Sequence, residues 1–404
     1  MRNLCFFLLL VNSSIFLSCS SGDQSTSEQF SDGLEVIKVD LSEAREGMLS
    51  EFFEPEIEYI WLKENVSEGL LGRGVNQMFF HDEKIYVVDM QGCKCIQVFD
   101  KTGNYLNEIN GYGEGPGQYL QFYSAIFKDN ELMLVGVPKK LMWFDLEGKF
   151  LREQQVNQQI GAAAYSDSED RYYFYTNASE NGDFFFESVN AAFKDTLLSM
   201  PYDENTFYGY YRGATSLQKN RQKIFFGMPL QDTIYEVNES QLKARYVWDF
   251  GKYGQNIQEM RKFDVEVDGM AYIKFQNSEA KLYFNENWFI VKHLLFSSFR
   301  HEGQSLLMIY DMESKQPNLI KNLLVNDLDE FYPFSNIYLQ FSDNKVGASI
   351  PGKTLFNLLQ KKKETFSKED FEEYVNGKGK TFAEVATAAK DSENPVLIVY
   401  TVKK

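Results

Sequence analysis

Residues 85–117 read IYVVDMQGCKCIQVFDKTGNYLNEINGYGEGPG. Two short apolar runs, IYVV (85–88) and CIQVF (95–99), flank a polar loop. The segment DKTG (100–103) then turns the chain into a third run, YLNEI (105–109). Ile, Tyr, Val and Phe suit a pleated surface, and each run has the usual length of a strand. Gly92 and Gly103 fall between the runs, where a turn needs positive φ without steric cost. A glycine-rich corner, residues 111–117, ends the unit.

The same plan recurs down the chain. FDKTGNYL at 99–106 returns as FDLEGKFL at 144–151, a spacing of 45 residues. Its landmark, an apolar residue followed by Asp or Asn, recurs at Val189-Asn190, Val237-Asn238 and Tyr310-Asp311. The last gap is longer, as if an insertion at about residues 251–267 interrupted one unit. Repeats of about 40–50 residues that each hold several strands are the pattern of propeller blades. A β-sandwich with fortuitous spacings is the competing reading. The expectation is therefore an all-β chain folded as a six-bladed β-propeller.

The remaining segments fit around these five landmarks. The third unit is read over 162–200, with strands at 172–175 and 184–186, and the fourth over 213–250. The fifth is read over 270–324, with strands at 288–296 and 306–310. The sixth opens with strands at 337–341 and 345–350. Residues 355–376 then alternate charges with apolar positions in a helical pattern, and NPVLIVYTV (394–402) is a late strand. Blade six is thus expected to resume after a helical insertion near the C-terminus. An open ring would expose unpaired backbone edges. The early strand IEYIWL (57–62) is expected to close the last blade beside 396–402. EVIKV (35–39) reads as a further strand and residues 41–53 as a short amphipathic helix.

The N-terminus has a different character. Arg2 precedes an apolar stretch too short to span a membrane, the layout of a secretory signal. That stretch ends in Leu17-Ser18-Cys19, which resembles the lipobox of bacterial lipoproteins, with Phe16 where that pattern has Leu. The expected organisation is a lipoprotein signal peptide at 1–18, a flexible tether at 19–33 and the propeller at 34–404, with Cys19 lipidated. Several acyl chains on one cysteine would anchor the chain stably.

Charge narrows the partners. The formal net charge of the 404 residues is −17, and a surface this acidic repels phosphate backbones, so nucleic acid is excluded as a partner. The three histidines, His81, His293 and His301, lie in no metal-ligand motif. No metal and no cofactor is expected. The corner at 111–117 lacks the Lys-Ser/Thr of a phosphate-binding loop and reads as a tight inter-blade connection. Cys93 and Cys95, two apart, would share one face of a regular strand. A bridge there needs a bulged or turned backbone, so packed free thiols are expected, with a redox-sensitive pair as the alternative. The aromatic clusters FYGYY (207–211) and FYPF (331–334) lie outside the clearest strands. Phe207, Tyr208, Tyr210, Tyr211 and the adjacent Arg212 are the candidate ligand-binding residues, by stacking on a sugar or peptide. Strand-edge packing is their bland alternative.

The signal with Cys19, the GYGEGPGQY corner at 111–119, the repeated FD-x-x-G-x-[YF]-L turns and the terminal NPVLIVYTVKK together carry a likeness. The chain resembles the six-bladed β-propeller lipoproteins of Bacteroidetes, which are distantly similar to NHL-repeat propellers. The resemblance covers about residues 35–404 and implies architecture and location rather than a reaction. It implies a monomeric, lipid-anchored protein of the outer membrane, on its periplasmic or surface face. No nucleophile motif stands out, so the preferred role is a binding module for a glycan, peptide or partner protein. The alternative is a propeller lyase or hydrolase that uses polar residues at the axial channel, since fold does not decide function.

Overall fold

Apolar runs that bury both faces make the second and third strands of six small sheets, each antiparallel within its four blade strands. The computed structural model describes residues 33–404 except 65–68, 72–74, 76, 180, 207, 209–215, 229–230, 239–240, 255–258, 260–261, 264, 276–282, 302–303 and 332–338. Two strands, β1 (Glu35–Lys38) and β2 (Phe53–Trp61), precede the first full blade. Blade one holds β3 (Gln77–His81), β4 (Lys84–Asp89), β5 (Cys95–Asp100) and β6 (Tyr105–Ile109). Blade two holds β7 (Gln121–Lys128), β8 (Glu131–Val137), β9 (Lys140–Asp145) and β10 (Phe150–Gln155). Blade three holds β11 (Ile160–Ser166), β12 (Arg171–Thr176), β13 (Phe184–Asn190) and β14 (Thr196–Pro201). Blade four holds β15 (Leu217–Asn220), β16 (Lys223–Gly227), β17 (Thr233–Asn238) and β18 (Gln241–Asp249). Blade five holds β19 (Tyr283–Val291), β20 (Leu294–His301), β21 (Gln304–Asp311) and β22 (Gln316–Lys321). Blade six holds β23 (Leu339–Ser342), β24 (Lys345–Pro351) and β25 (Pro395–Val402), with β2 as its outermost strand.

Alternation along each second strand builds the ring. On β4, Ile85 and Val87 pack toward blade six, while Tyr86 and Val88 pack toward blade two. On β8, Leu132 and Leu134 face blade one and Met133 and Val135 face blade three. On β12, Tyr172 and Phe174 face blade two and Tyr173 and Tyr175 face blade four. The period of two sends successive side chains to opposite faces, so every blade feeds two cores. The result is six apolar cores, one between each pair of adjacent blades, including blades four and five, five and six, and six and one. The chain is a closed six-bladed propeller.

The repeated apolar-Asx landmark has a physical reason. Phe99-Asp100, Phe144-Asp145, Val189-Asn190, Val237-Asn238 and Tyr310-Asp311 are each the last pair of a third strand. The apolar member is buried in all five, Val237 included. The Asx carboxyl or amide then caps the turn to the fourth strand. Asp100 accepts from the backbone of Thr102 and Asn104, Asp145 from Glu147 and Lys149, and Asp311 from Glu313 and Ser314. Such local bonds favour turns over continued strand.

Ring closure follows the expected pairing. β2 lies antiparallel to β25, with Ile57 opposite Tyr400 and Trp61 opposite Val396. The N-terminal segment does more than this. β1 adds a parallel fifth strand to blade four, with Glu35 opposite Tyr246. Arg45 and Met48 then make parallel bridges to Ile320 and Val325 beside the outer strand of blade five. After β2, Lys63 bridges to Asn104 of blade one. Residues 35–63 are therefore a belt on the outer strands of four successive blades.

Other expectations change in detail. The amphipathic stretch 41–53 is not one helix: it holds a 3-10 turn at Leu41–Glu43 and the single-turn helix α1 (Leu49–Phe52), because the backbone of Arg45 and Leu49 is paired to blade five. The supposed strand 288–296 is a hairpin, broken at Lys292, whose φ of +56° reverses the chain. Blade five begins at Tyr283 rather than 270, and Met270 belongs to helix α2 (Val265–Lys274) within the connection from blade four. The helical insertion of blade six holds α3 (Gly352–Thr365), α4 (Lys368–Asn376) and α5 (Lys380–Ala388).

Candidate functional site

Successive strands alternate in direction, so the connections divide between two faces. On one face the turns from first to second strand are tight: Asp82-Glu83, Asp129-Asn130, Arg221-Gln222, Lys292-His293 and Asp343-Asn344. The other face holds the inter-blade loops and the turns from second to third strand. There lie the connections 62–76, 110–120, 202–216, 250–282 and 322–338, together with the helical insertion 352–394. Long connections on a rigid scaffold are where propellers and barrels place recognition.

These loops are tied to one another in pairs. The Tyr119 hydroxyl donates to the Lys94 carbonyl at 2.8 Å, joining the glycine-rich corner to the β4–β5 turn. Gln158 Nε2 donates to Asp183 Oδ1 at 2.6 Å. Asn394, fully buried, accepts from Leu71 N and donates to Gly69 O, fixing the 62–76 loop against the end of the helical insertion. Burial pushes the Tyr119 hydroxyl up to about 12.

The helical insertion is seated on a buried carboxylate. Asp329, in the loop from blade five to blade six, accepts from the Tyr59 hydroxyl, from Asn326 Nδ2 at 2.6 Å and from Phe331 N at 3.2 Å. Its carbonyl accepts from the Tyr374 hydroxyl of α4 at 2.8 Å. The Phe331 ring stacks on Phe382 of α5 with centroids 3.6 Å apart. Burial first, then the Asp329 charge, raises the Tyr59, Tyr374 and Tyr400 hydroxyls above the ordinary tyrosine range. This cluster holds a loop and three helices in place.

The same face exposes aliphatic side chains. Val267 and Met270 of α2 are each 79% exposed, and Ile273 follows them one turn on. The opposite side of that helix is anchored, with Tyr272 and Phe275 buried beside Phe263. Leu70, Tyr112 and Leu120 form further exposed apolar positions on the loops around blade one. Lys94 Nζ lies 4.4 Å from the Tyr112 ring centroid.

Four of the innermost strands carry a glutamine. Gln77, Gln121, Gln218 and Gln340 lie on β3, β7, β15 and β23, all half-buried. Gln340 Nε2 donates to Lys219 O at 3.0 Å, linking the first strands of blades six and four. Among the described residues no group of three or more His, Cys, Asp or Glu side chains comes close enough to hold a metal ion. His81 stacks on Phe127, while His293 and His301 lie at opposite ends of the β20 hairpin strand.

The residues singled out from the sequence fall as follows. Of the aromatic cluster, Tyr208 is half-buried, its ring 4.4 Å from that of Phe185 and 5.7 Å from that of Tyr202, and its hydroxyl accepts from Asp203 N. Its ring packs on blade three. Phe207, Tyr210, Tyr211 and Arg212 lie outside the described residues, as do residues 1–32, Cys19 among them. The expectation of free thiols at Cys93 and Cys95 is corrected: a disulfide joins them. Only Cys95 belongs to a strand, and Lys94 between them has φ of +53°, which supplies the turned backbone that such a bridge requires. Sequence reading passed over Asp329 and the apolar stripe of α2. The spacing Val267, Met270, Ile273 is a signal for the latter, masked by the blade pitch, which puts 270 at the start of the fifth unit.

The family model of a domain of unknown function, DUF4934, matches residues 34–401. A crystal structure of a Bacteroides fragilis protein of inferred export is similar, with a TM-score of 0.69 and 17% identity over 92% of this chain and 100% of that one. Hydrazine synthase from Kuenenia stuttgartiensis aligns with a TM-score of 0.40 and 7% identity over 84% of this chain and 90% of that chain. The computationally designed Ika8 protein aligns with a TM-score of 0.35 and 12% identity over 73% and 71% of the two chains. No curated protein matches the sequence.

Proposed function

This chain belongs to the family of the domain of unknown function DUF4934, and from that premise we propose that it is an exported, lipid-anchored propeller whose long-loop face binds a partner protein or peptide. The observation that carries this reading is that the long, mutually tied loops share one face and carry Val267 and Met270, at 79% the most exposed large apolar side chains among the described residues. Val267, Met270, Leu70 and Leu120 exclude water from a protein or peptide surface but do not stack on a sugar, and the exposed Tyr112 ring is already engaged by Lys94. A polypeptide is therefore preferred over a glycan. Such a role needs no catalytic group.

Photo-crosslinking side chains placed one at a time at Val267, Met270 and Leu120, and as controls at Asp129 and Asn130 of the tight-turn face, test the reading in cells of the source organism. The expected result is one crosslinked polypeptide, shared by the three long-loop positions and absent from the two controls. Equal crosslinking from both faces, or a glycan array signal with no crosslink, overturns it.

Export and anchoring are supported by the charged-then-apolar start, by Leu17-Ser18-Cys19 and by the inferred export of the Bacteroides fragilis structural relative. Lipid on Cys19 would hold the protein in the outer membrane. Among the described residues no helix is long and apolar enough to cross a membrane. Metabolic labelling with a palmitate analogue is expected to tag the wild type and not Cys19→Ser. Equal labelling of the two rejects the anchor and leaves the binding face untouched.

A further inference from the structure

The Cys93–Cys95 bridge adds little to holding the fold. It closes a ring over the single residue Lys94, and a loop that short removes little entropy from the unfolded chain. The turn that carries it is already fixed. The Asp89 carboxylate, fully buried, accepts from the backbone of Gln91, Gly92 and Cys93 at 3.1, 2.6 and 3.3 Å. The two sulfurs also differ in access. Cys95 is fully buried on β5, whereas Cys93 lies in the turn and is half-buried. An incoming thiolate therefore meets Cys93.

The residue between the cysteines is the one bonded to the glycine-rich corner. The Lys94 carbonyl accepts from the Tyr119 hydroxyl, which in turn accepts from Gly111 N at 3.2 Å. Lys94 Nζ donates to Leu120 O at 3.4 Å and sits over the Tyr112 ring. The contacts that Lys94 itself makes depend on where its backbone points, and Lys94 sits at positive φ inside the disulfide ring. Lys292 reaches a similar φ in an ordinary hairpin turn, whereas Lys94 adopts it inside the disulfide ring.

We propose that Cys93 and Cys95 form a thiol–disulfide exchange site whose substrate is a dithiol, and whose state sets the order of the corner at 111–120. One thiolate of the dithiol attacks Cys93 Sγ. The Cys93–Cys95 bond breaks as a mixed disulfide forms on Cys93. The electron pair goes to Cys95 Sγ, which takes a proton from water and becomes a thiol. Glu108 Oε2, 3.8 Å from Cys95 Sγ, is placed to accept from that S–H. The second thiolate of the dithiol then attacks its own sulfur in the mixed disulfide. The dithiol leaves oxidised, Cys93 leaves as a thiolate that is protonated by solvent, and two electrons and two protons have entered this protein.

The full chain without its signal is equilibrated with mixtures of reduced and oxidised dithiothreitol, then alkylated and read by mass spectrometry and amide exchange. Under native conditions the pair is expected to be reduced reversibly, with Cys93 alkylated about tenfold faster than Cys95, as their access dictates. Amides of residues 111–120 are expected to exchange about tenfold faster after reduction, while those of blades three to five stay unchanged. The Cys93→Ser, Cys95→Ser double variant is expected to reproduce the fast exchange of the corner without any reductant. Thiols that appear only in denaturant overturn the exchange site. Reduction that leaves the corner's exchange unchanged overturns its coupling to that site, and the wild-type protein alone decides both.

Discussion

Deletion of residues 20–62 is expected to leave a chain without a cooperative melt, whereas deletion of residues 20–33 alone is expected to leave the melting temperature within about 1 °C, as for a polar segment without aliphatic residues. The belt carries Ile37, Val39, Leu49, Phe52, Phe53, Ile57 and Leu62, all buried in the cores of blades four to six or between blades six and one. Each such side chain contributes about 1.5–3 kcal/mol when buried. Together they match or exceed the 5–15 kcal/mol that typically separates folded from unfolded domains, at about the same order. The deletion also strips the outer strand from β25 and opens the backbone edge that β2 covers. Melting by near-ultraviolet circular dichroism, with size-exclusion chromatography for aggregation, compares the two deletions. The single substitution Phe53→Ala should cost about 3–5 kcal/mol by the cavity it leaves. Equal melting of the two deletions would mean that the belt decorates the surface and the ring closes without it.

Asp329→Ala is the second large effect expected. The carboxylate is buried and holds Tyr59, Asn326 and Phe331 at once. Its removal leaves those donors buried without an acceptor, at about 3–5 kcal/mol, because hydrogen bonds to a charged group are the stronger kind. Amide exchange should rise first in α4 and α5, which rest on this loop through Tyr374 and Phe382. Tyr59→Phe should show the same pattern at roughly half the cost. Alkaline pH gives an independent check. The Tyr59, Tyr374 and Tyr400 hydroxyls have raised pKa values in the fold, from burial and then from the Asp329 charge. Their contribution to stability is therefore full below about pH 10, the unfolded value, and is lost as the pH rises above it. In Asp329→Ala one cause of the raised values is gone, so the loss above pH 10 should be shallower than in the wild type. A melting temperature unchanged by Asp329→Ala would reduce the cluster to a bystander.

Blade repetition was legible in the sequence because the first five blades end their third strand on the same local device. An apolar residue fills a core and the following Asp or Asn turns the chain by bonding its own backbone, as at Asp100 and Asp311. That chemistry depends only on near neighbours. The closing strand was legible for a related reason: IEYIWL had strand character and no partner nearby, and the sixth unit lacked one strand. The hairpin within 288–296 was not legible, since Val291 and Leu294 continue an apolar run across the turn and only backbone reversal at Lys292 divides it. The helix at 265–274 was hidden behind the assumption of a regular blade length.

The sequence by itself determined the all-β class, the six-fold repeat and the pairing of the two chain ends. Periodicity, turn residues and strand length act within a few residues of each other, and a repeated pattern reports them many times over. Tertiary structure alone decided three further things. It ran β1 and residues 45–48 along blades four and five, a contact between segments more than 200 residues apart. It gathered Asp329, Tyr59 and Tyr374 from a loop, a strand and a helix around one buried charge. It also turned the backbone at Lys94 so that Cys93 and Cys95 meet, where a regular strand would have left them side by side. Each depends on groups that no local pattern brings together, and on a solvent-excluded setting that exists only once the ring has closed.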